Sequence, residues 1–173
     1  MSDRQFTRER IIAALEALGG ELTRDGIHGQ VFIVGGAAMA LAYSSRRVTR
    51  DIDAVFEPKS AVYEAAARVA AQLGLPDNWL NDGVKGFLPG ADRDALPLPQ
   101  IPGVEVTTAS PRYLLAMKLL AMRFGEDDED IRVLLGETGI KTVDEALALL
   151  AQMYPTQEPP LKTRLFLEQV LGA

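Results

Sequence analysis

The sequence predicts an α/β (α+β) fold: a small mixed β-sheet with helices packed on it, then a helical C-terminal part. Three observations carry this. Short apolar or alternating runs at 31–34, 51–56 and 103–109 read as strands. Stretches of helical period separate them. After residue 110 every periodic segment is helical. The 173 residues read as one domain, with a core over about 30–135 and helices over about 136–173.

In chain order, residues 5–24 carry Ile11, Ile12, Leu15 and Leu18 on one helical stripe, and Gly19-Gly20 is expected to end or weaken that helix. VFIV at 31–34 suits a strand buried on both faces. AAMALAY at 37–43 favours helix, and DIDAVF at 51–56 alternates as a strand does. Residues 60–73 form a helix with Ser60 as N-cap. The stretch 74–103, rich in Gly, Pro, Asp and Asn, reads mostly as loop, and its length leaves room for a functional flap or short hidden elements. GVEVTTA at 103–109 is a third strand. Ser110-Pro111 opens a helix that runs through YLLAMKLLAMR. DEDIRVLL opens another, Thr142 and Glu145 form a capping box for a helix over 143–153, and 161–171 closes the chain.

Composition narrows the function. Hydrophobic residues at 47% and charged residues at 24% are ordinary for a globular protein. No apolar run approaches the ~20 residues of a membrane span. The start, MSDRQFTRER, lacks a signal-peptide core. The chain has no cysteine, hence no disulfide framework and no thiolate metal site. A cytoplasmic protein without a membrane partner fits these features. The net charge of −6 argues against broad binding of nucleic acid. Charge is uneven, however: GEDDED at 125–130 is acidic, while Arg46, Arg47 and Arg50 make a local basic turn.

The chemistry concentrates in VFIVGGAAMALAYSSRRVTRDIDAVF, residues 31–56. Gly35-Gly36 follows a strand and precedes a helix. Free backbone N–H groups at such a turn suit phosphate oxygens, although a tight turn with no ligand would look the same. Asp51 and Asp53 are two apart on a strand and so project together. Paired carboxylates repel unless a cation sits between them, and Mg²⁺ takes carboxylate oxygens plus substrate phosphates.

Gly35-Gly36, an intervening helix, then Asp51-Ile52-Asp53 resembles the signature of the nucleotidyltransferase superfamily, the polymerase-β-like fold. More narrowly, GGAAMALAY, RVTRDID, ASPRYLLAMKLLAMR and DDEDI resemble the AbiEii/MenT-type nucleotidyltransferase toxins of bacterial toxin–antitoxin pairs. The resemblance covers residues ~30–135 of what would be a single nucleotidyltransferase-like domain. It implies that the glycine turn holds triphosphate and that Asp51 and Asp53 hold Mg²⁺ (or Mn²⁺). It also implies further catalytic residues: a helical lysine, here Lys118, to stabilise charge on the triphosphate, and an aspartate, here Asp127 or Asp130, to position or deprotonate the acceptor.

This sequence departs from the pattern in three places. Ala37 stands where many members have serine. Glu126 replaces a basic residue before Asp127. A third metal carboxylate has only Glu105 as a candidate on the third strand.

Read on their own, these side chains keep other options. Lys118, amid Leu115, Met117, Leu119 and Leu120, either snorkels to solvent or reaches a buried anion. Asp127 and Asp130 share a helix face, as acids at a helix start also do. Thr49 faces the same side as Asp51 and is placed to touch phosphate. Arg47 and Arg50, with Arg46, are placed to grip triphosphate or an RNA backbone, or simply form a basic surface turn. The one histidine, His28, is assigned nothing.

The expected activity is Mg-dependent transfer of an NMP from an NTP to an acceptor hydroxyl. By resemblance the acceptor is the tRNA 3′ end, and the protein is a toxin paired with a cognate antitoxin. Two alternatives stand beside it. One is an inactive nucleotide- or partner-binding module of the same fold. The other is a transferase acting on a small molecule or protein hydroxyl, which the acidic balance favours.

Overall fold

The computed structural model describes residues 5–44 and 46–172. Contacts divide these into two compact units: the described residues up to Gly86 with Asp94–Ala109, and Phe87–Arg93 with the described residues from Ser110 on.

The first unit is a five-stranded mixed sheet with two long helices on one face. Its strands are β1 (Gly29–Ile33), β2 (Ile52–Glu57), β3 (Leu80–Asn81), β4 (Leu96–Pro97) and β5 (Val104–Thr108), in spatial order β3-β2-β1-β5-β4. β1 runs antiparallel to β2 and parallel to β5, and β3 runs parallel to β2. Helix α1 (Arg8–Arg24) starts at Thr7, whose hydroxyl accepts from the Arg10 N–H. It buries Ile11, Ala14, Leu15, Leu18 and Leu22. Helix α3 (Lys59–Leu73) buries Val62, Ala65, Ala66, Val69 and Ala70. The sheet meets them with Val31, Ile33, Ile52, Ala54, Phe56, Val104 and Val106, all buried. Each of the larger side chains here, Val, Leu, Ile or Phe, contributes roughly 1.5–3 kcal/mol when fully removed from water.

The alternate residues, Gln30, Phe32, Asp53, Val55, Glu57, Glu105 and Thr107, are half-buried or exposed. β1 is therefore buried on one face only, with pattern buried–exposed–buried–half-buried–buried. The expectation of a strand covered on both faces is corrected: both long helices lie on the same side.

Two other expectations change. α1 runs through Gly19 and Gly20 to Arg24. Gly19 is there because α1 rides on another backbone: a Cβ on it would stand 2.1 Å from the Pro102 carbonyl oxygen. Gly103, at φ +87°, would put its Cβ 2.1 Å from the Gly19 carbonyl oxygen. Ser60 is not a cap; Pro58 holds that position and Ser60 lies inside the helix.

The second unit holds α4 (Pro111–Leu120), α5 (Asp128–Thr138), α6 (Val143–Met153) and α7 (Leu161–Leu171). The Thr142–Glu145 capping box forms on α6 as predicted. Ser110 sits at the α4 cap, but its hydroxyl and its N–H donate to Asp92 instead of capping the helix. Segment 87–93 is tied to this unit by Tyr113 Oη on the Gly90 carbonyl (2.6 Å) and Tyr154 Oη on the Phe87 carbonyl (2.9 Å). No helix among the described residues is long and apolar enough to cross a membrane.

Candidate functional site

The glycine turn leaves the end of β1. Val34 still belongs to the ladder, donating its N–H to the Asp53 carbonyl at 2.9 Å. Gly35 then takes φ +63°, the left-handed region where a side chain is strained. Helix α2 (Gly35–Ala38) follows and continues as a π-helical turn, Met39–Tyr43. Val34, at the cap, offers no side-chain acceptor to the opening amides. Those N–H groups have no partner inside the helix by its geometry.

Three side chains face this turn. A Cβ on Gly35 would lie 3.3 Å from Asp53 Oδ2. A Cβ on Gly36 would lie 2.9 Å from Thr49 Oγ1 and 3.8 Å from Arg47 Nη2. Asp53, Thr49 and Arg47 therefore gather at the glycines. Thr49 is held by a backbone bridge to Phe6 and donates its hydroxyl to the Asp51 carbonyl at 3.1 Å. Arg47 donates to the Val48 carbonyl at 3.1 Å. Arg46 and Arg50 are exposed. Asp51 lies one residue before β2, half-buried like Asp53. Ile52 between them is fully buried on the other face.

One residue of this cluster was missed. Asn81 on β3 is the register partner of Asp53, and its Nδ2 donates to Asp51 Oδ2 at 3.3 Å. Nothing in the Gly-, Pro- and Asp-rich stretch 74–103 marks Asn81 apart from its neighbours.

Register also decides the question of Glu105. It pairs with Gln30, which pairs with Glu57. Asp53 lies level with Val34, four residues farther along β1, or about 13 Å at ~3.3 Å per residue. Glu105 thus belongs with Glu57 at the far end of the open face. Among the described residues no group of three or more His, Cys, Asp or Glu gathers for a metal. Two carboxylates and an amide, beside glycines that let Thr49 and Asp53 approach the turn closely, still fit Mg²⁺, which takes one or two carboxylates plus phosphates.

Gly35→Ala is expected to destabilise the protein by ~1–2 kcal/mol through its left-handed backbone alone. Urea unfolding of the variant beside wild type checks this.

The second unit has its own charged cluster. Lys118, on α4 and nine-tenths buried, places Nζ 2.8 Å from Asp127 Oδ1 and 2.9 Å from Asp130 Oδ2. Asp127 also accepts from the Arg123 N–H at 2.8 Å and from its guanidinium at 3.3 Å. Burial pushes the Asp127 carboxyl up, but the Lys118 and Arg123 bonds and charges outweigh it and hold it below the usual carboxylate range. The lysine therefore neither snorkels nor stands alone. Both aspartates engage it from the α5 start.

A comparison with curated proteins finds no match. A family model described as a nucleotidyltransferase of unknown function (DUF6036) matches residues 10–158, from within α1 past the end of α6. With the glycine turn, the aspartate pair at the start of β2 and most of the sequence covered, the chain belongs to this nucleotidyltransferase family.

Proposed function

We propose that the protein transfers an NMP from an NTP to an acceptor hydroxyl. The observation that carries this is the Gly35–Gly36 turn faced by Asp53, Thr49 and Arg47. In the proposed reaction the acceptor oxygen attacks the α-phosphorus. The new Pα–O bond replaces the bond to the β-phosphate oxygen, pyrophosphate leaves, and the hydroxyl proton is lost to solvent. Gly35 and Gly36 leave room for phosphate oxygens close to backbone N–H groups. Arg47 donates to them from the opposite wall, its guanidinium in the forked geometry that suits phosphate, while Thr49 packs beside Gly36 with its hydroxyl on the Asp51 carbonyl. Asp51 and Asp53 would hold a divalent ion, Mg²⁺ or Mn²⁺, which when bound offsets triphosphate charge and acidifies the attacking oxygen.

For the acceptor, the family resemblance favours the tRNA 3′ end and a toxin held by an antitoxin. The exposed Arg46 and Arg50 beside the site are consistent with an RNA backbone. A second reading has its own support. The open sheet face carries a hollow of ≈ 300 Å³ lined by Gln30, Phe32, Val55, Glu57, Glu105 and Thr107, among others. Its two carboxylates repel phosphate and suit a small molecule or a protein hydroxyl carried near positive charge.

The test is incubation with each α-labelled NTP, Mg²⁺, and either total tRNA, a small-molecule pool or no acceptor. Label on tRNA supports the first reading. Label on small molecules or on protein supports the second. No label from any NTP overturns the proposed transfer.

A further inference from the structure

Asn81 is the register partner of Asp53 across the parallel β2–β3 pair, so both side chains leave the sheet on the same face. Its Nδ2 donates to Asp51 Oδ2 at 3.3 Å and to the Asn78 carbonyl at 3.5 Å. Its Oδ1 accepts from the Gly83 N–H at 3.3 Å. One amide thus lies beside one aspartate and bonded to the other.

β3 is only two residues long and sits at the sheet edge, a place where position is normally loosely held. Here it is fixed on both sides. Before it, Trp79 is fully buried, and its indole N–H donates to the Ala66 carbonyl of α3 at 2.9 Å. The Trp79 carbonyl accepts the Ile52 N–H at 2.7 Å. After it, Asp82 pairs with Lys59 Nζ at 2.6 Å and accepts from Tyr63 Oη at 2.5 Å. The Tyr63 oxygen in turn accepts the Asp82 N–H at 3.3 Å. Lys59 and Tyr63 hold the Asp82 carboxyl below its usual range. Helix α3 therefore grips the chain at residues 79 and 82, and Asn81 between them is aimed at the aspartates.

We propose that Asn81 is a positioning residue of the candidate site. Its amide N–H fixes the Asp51 carboxylate beside Asp53 and offsets part of the repulsion between the two. A neutral donor suits this place better than a third acid. It steadies Asp51 without adding negative charge that an incoming triphosphate would have to meet. The proposal rests on the reading of Asp51 and Asp53 as the ion-holding pair. It adds that their geometry is set from β3.

The test uses Mn²⁺ as the probe, titrated into the whole protein without nucleotide and followed by electron paramagnetic resonance. Asn81→Leu keeps the side chain's branching and removes the donor, and is expected to weaken Mn²⁺ binding about 10- to 100-fold, the range for residues that orient metal ligands. Asn81→Gln keeps the amide and is expected to recover part of that loss, which a merely structural role would not produce. Asp51→Asn and Asp53→Asn run beside them. If these two bind Mn²⁺ like wild type, the site itself is misassigned. If they lose it while Asn81→Leu binds like wild type, or if Gln does no better than Leu, the role of Asn81 alone is overturned.

Discussion

Asp53→Asn is expected to lower NMP transfer by on the order of 10²–10³-fold while leaving the protein folded. The change is isosteric and half-exposed. The backbone carbonyl of residue 53 still accepts the Val34 N–H, so the β1–β2 ladder is undisturbed. What disappears is one of two like charges on one strand face, next to the glycine turn. Metal-free buffer gives each protein its own melting baseline, against which the effect of divalent ion is read. Wild type gains stability as RT ln(1 + [ion]/Kd), and the variant gains little. Melting with and without MnCl₂, read beside label transfer, checks both halves. A variant that keeps the full Mn²⁺-dependent rise would show that the ion sits elsewhere.

The second large effect belongs to stability. Lys118→Met removes the ammonium shared by Asp127 and Asp130, whose side chains are only 4% and 5% exposed. Taking one partner from a buried ion pair costs about 3–5 kcal/mol, because charge is left in a medium that solvates it poorly. The pH dependence carries a signature. In wild type the Asp127 carboxyl is held below its ordinary value. Its contribution is therefore present above the ordinary carboxylate range and lost as pH falls through the lowered native value. In the variant the burial that opposes ionisation loses its main counterweight. Proton uptake then favours the folded form, so the gap to wild type should narrow between pH 7 and pH 5. Urea unfolding at the two pH values measures it. An equal gap at both would mean that this triad does not hold its charges as described.

What the sequence disclosed, it disclosed through local chemistry. The α6 capping box needs only Thr142 and Glu145 at the right spacing, and both bonds form. The glycine turn and the aspartates lie within one short segment, so their meeting depends on few long-range contacts. Features set by distant partners were not legible. β3 and β4 are two residues each, too short for any period. Asn81 acquires meaning only once β3 pairs with β2. Glu105 stood only as a candidate because sequence gives its face but not its rung; pairing with Gln30 sets that. Whether Lys118 meets solvent or a buried anion stayed open in the sequence because its carboxylates arrive after a turn, nine and twelve residues later.

The contact between α1 and the start of β5 deserves a last consequence. Neither Gly19 nor Gly103 has room for even a methyl group against the other segment's main chain. The two backbones interlock like a tenon in its mortise. A slip that carried Leu18 into that slot is barred, because the leucine cannot enter. A single inserted residue between Thr7 and Gly19 would misalign either the helix cap or this joint.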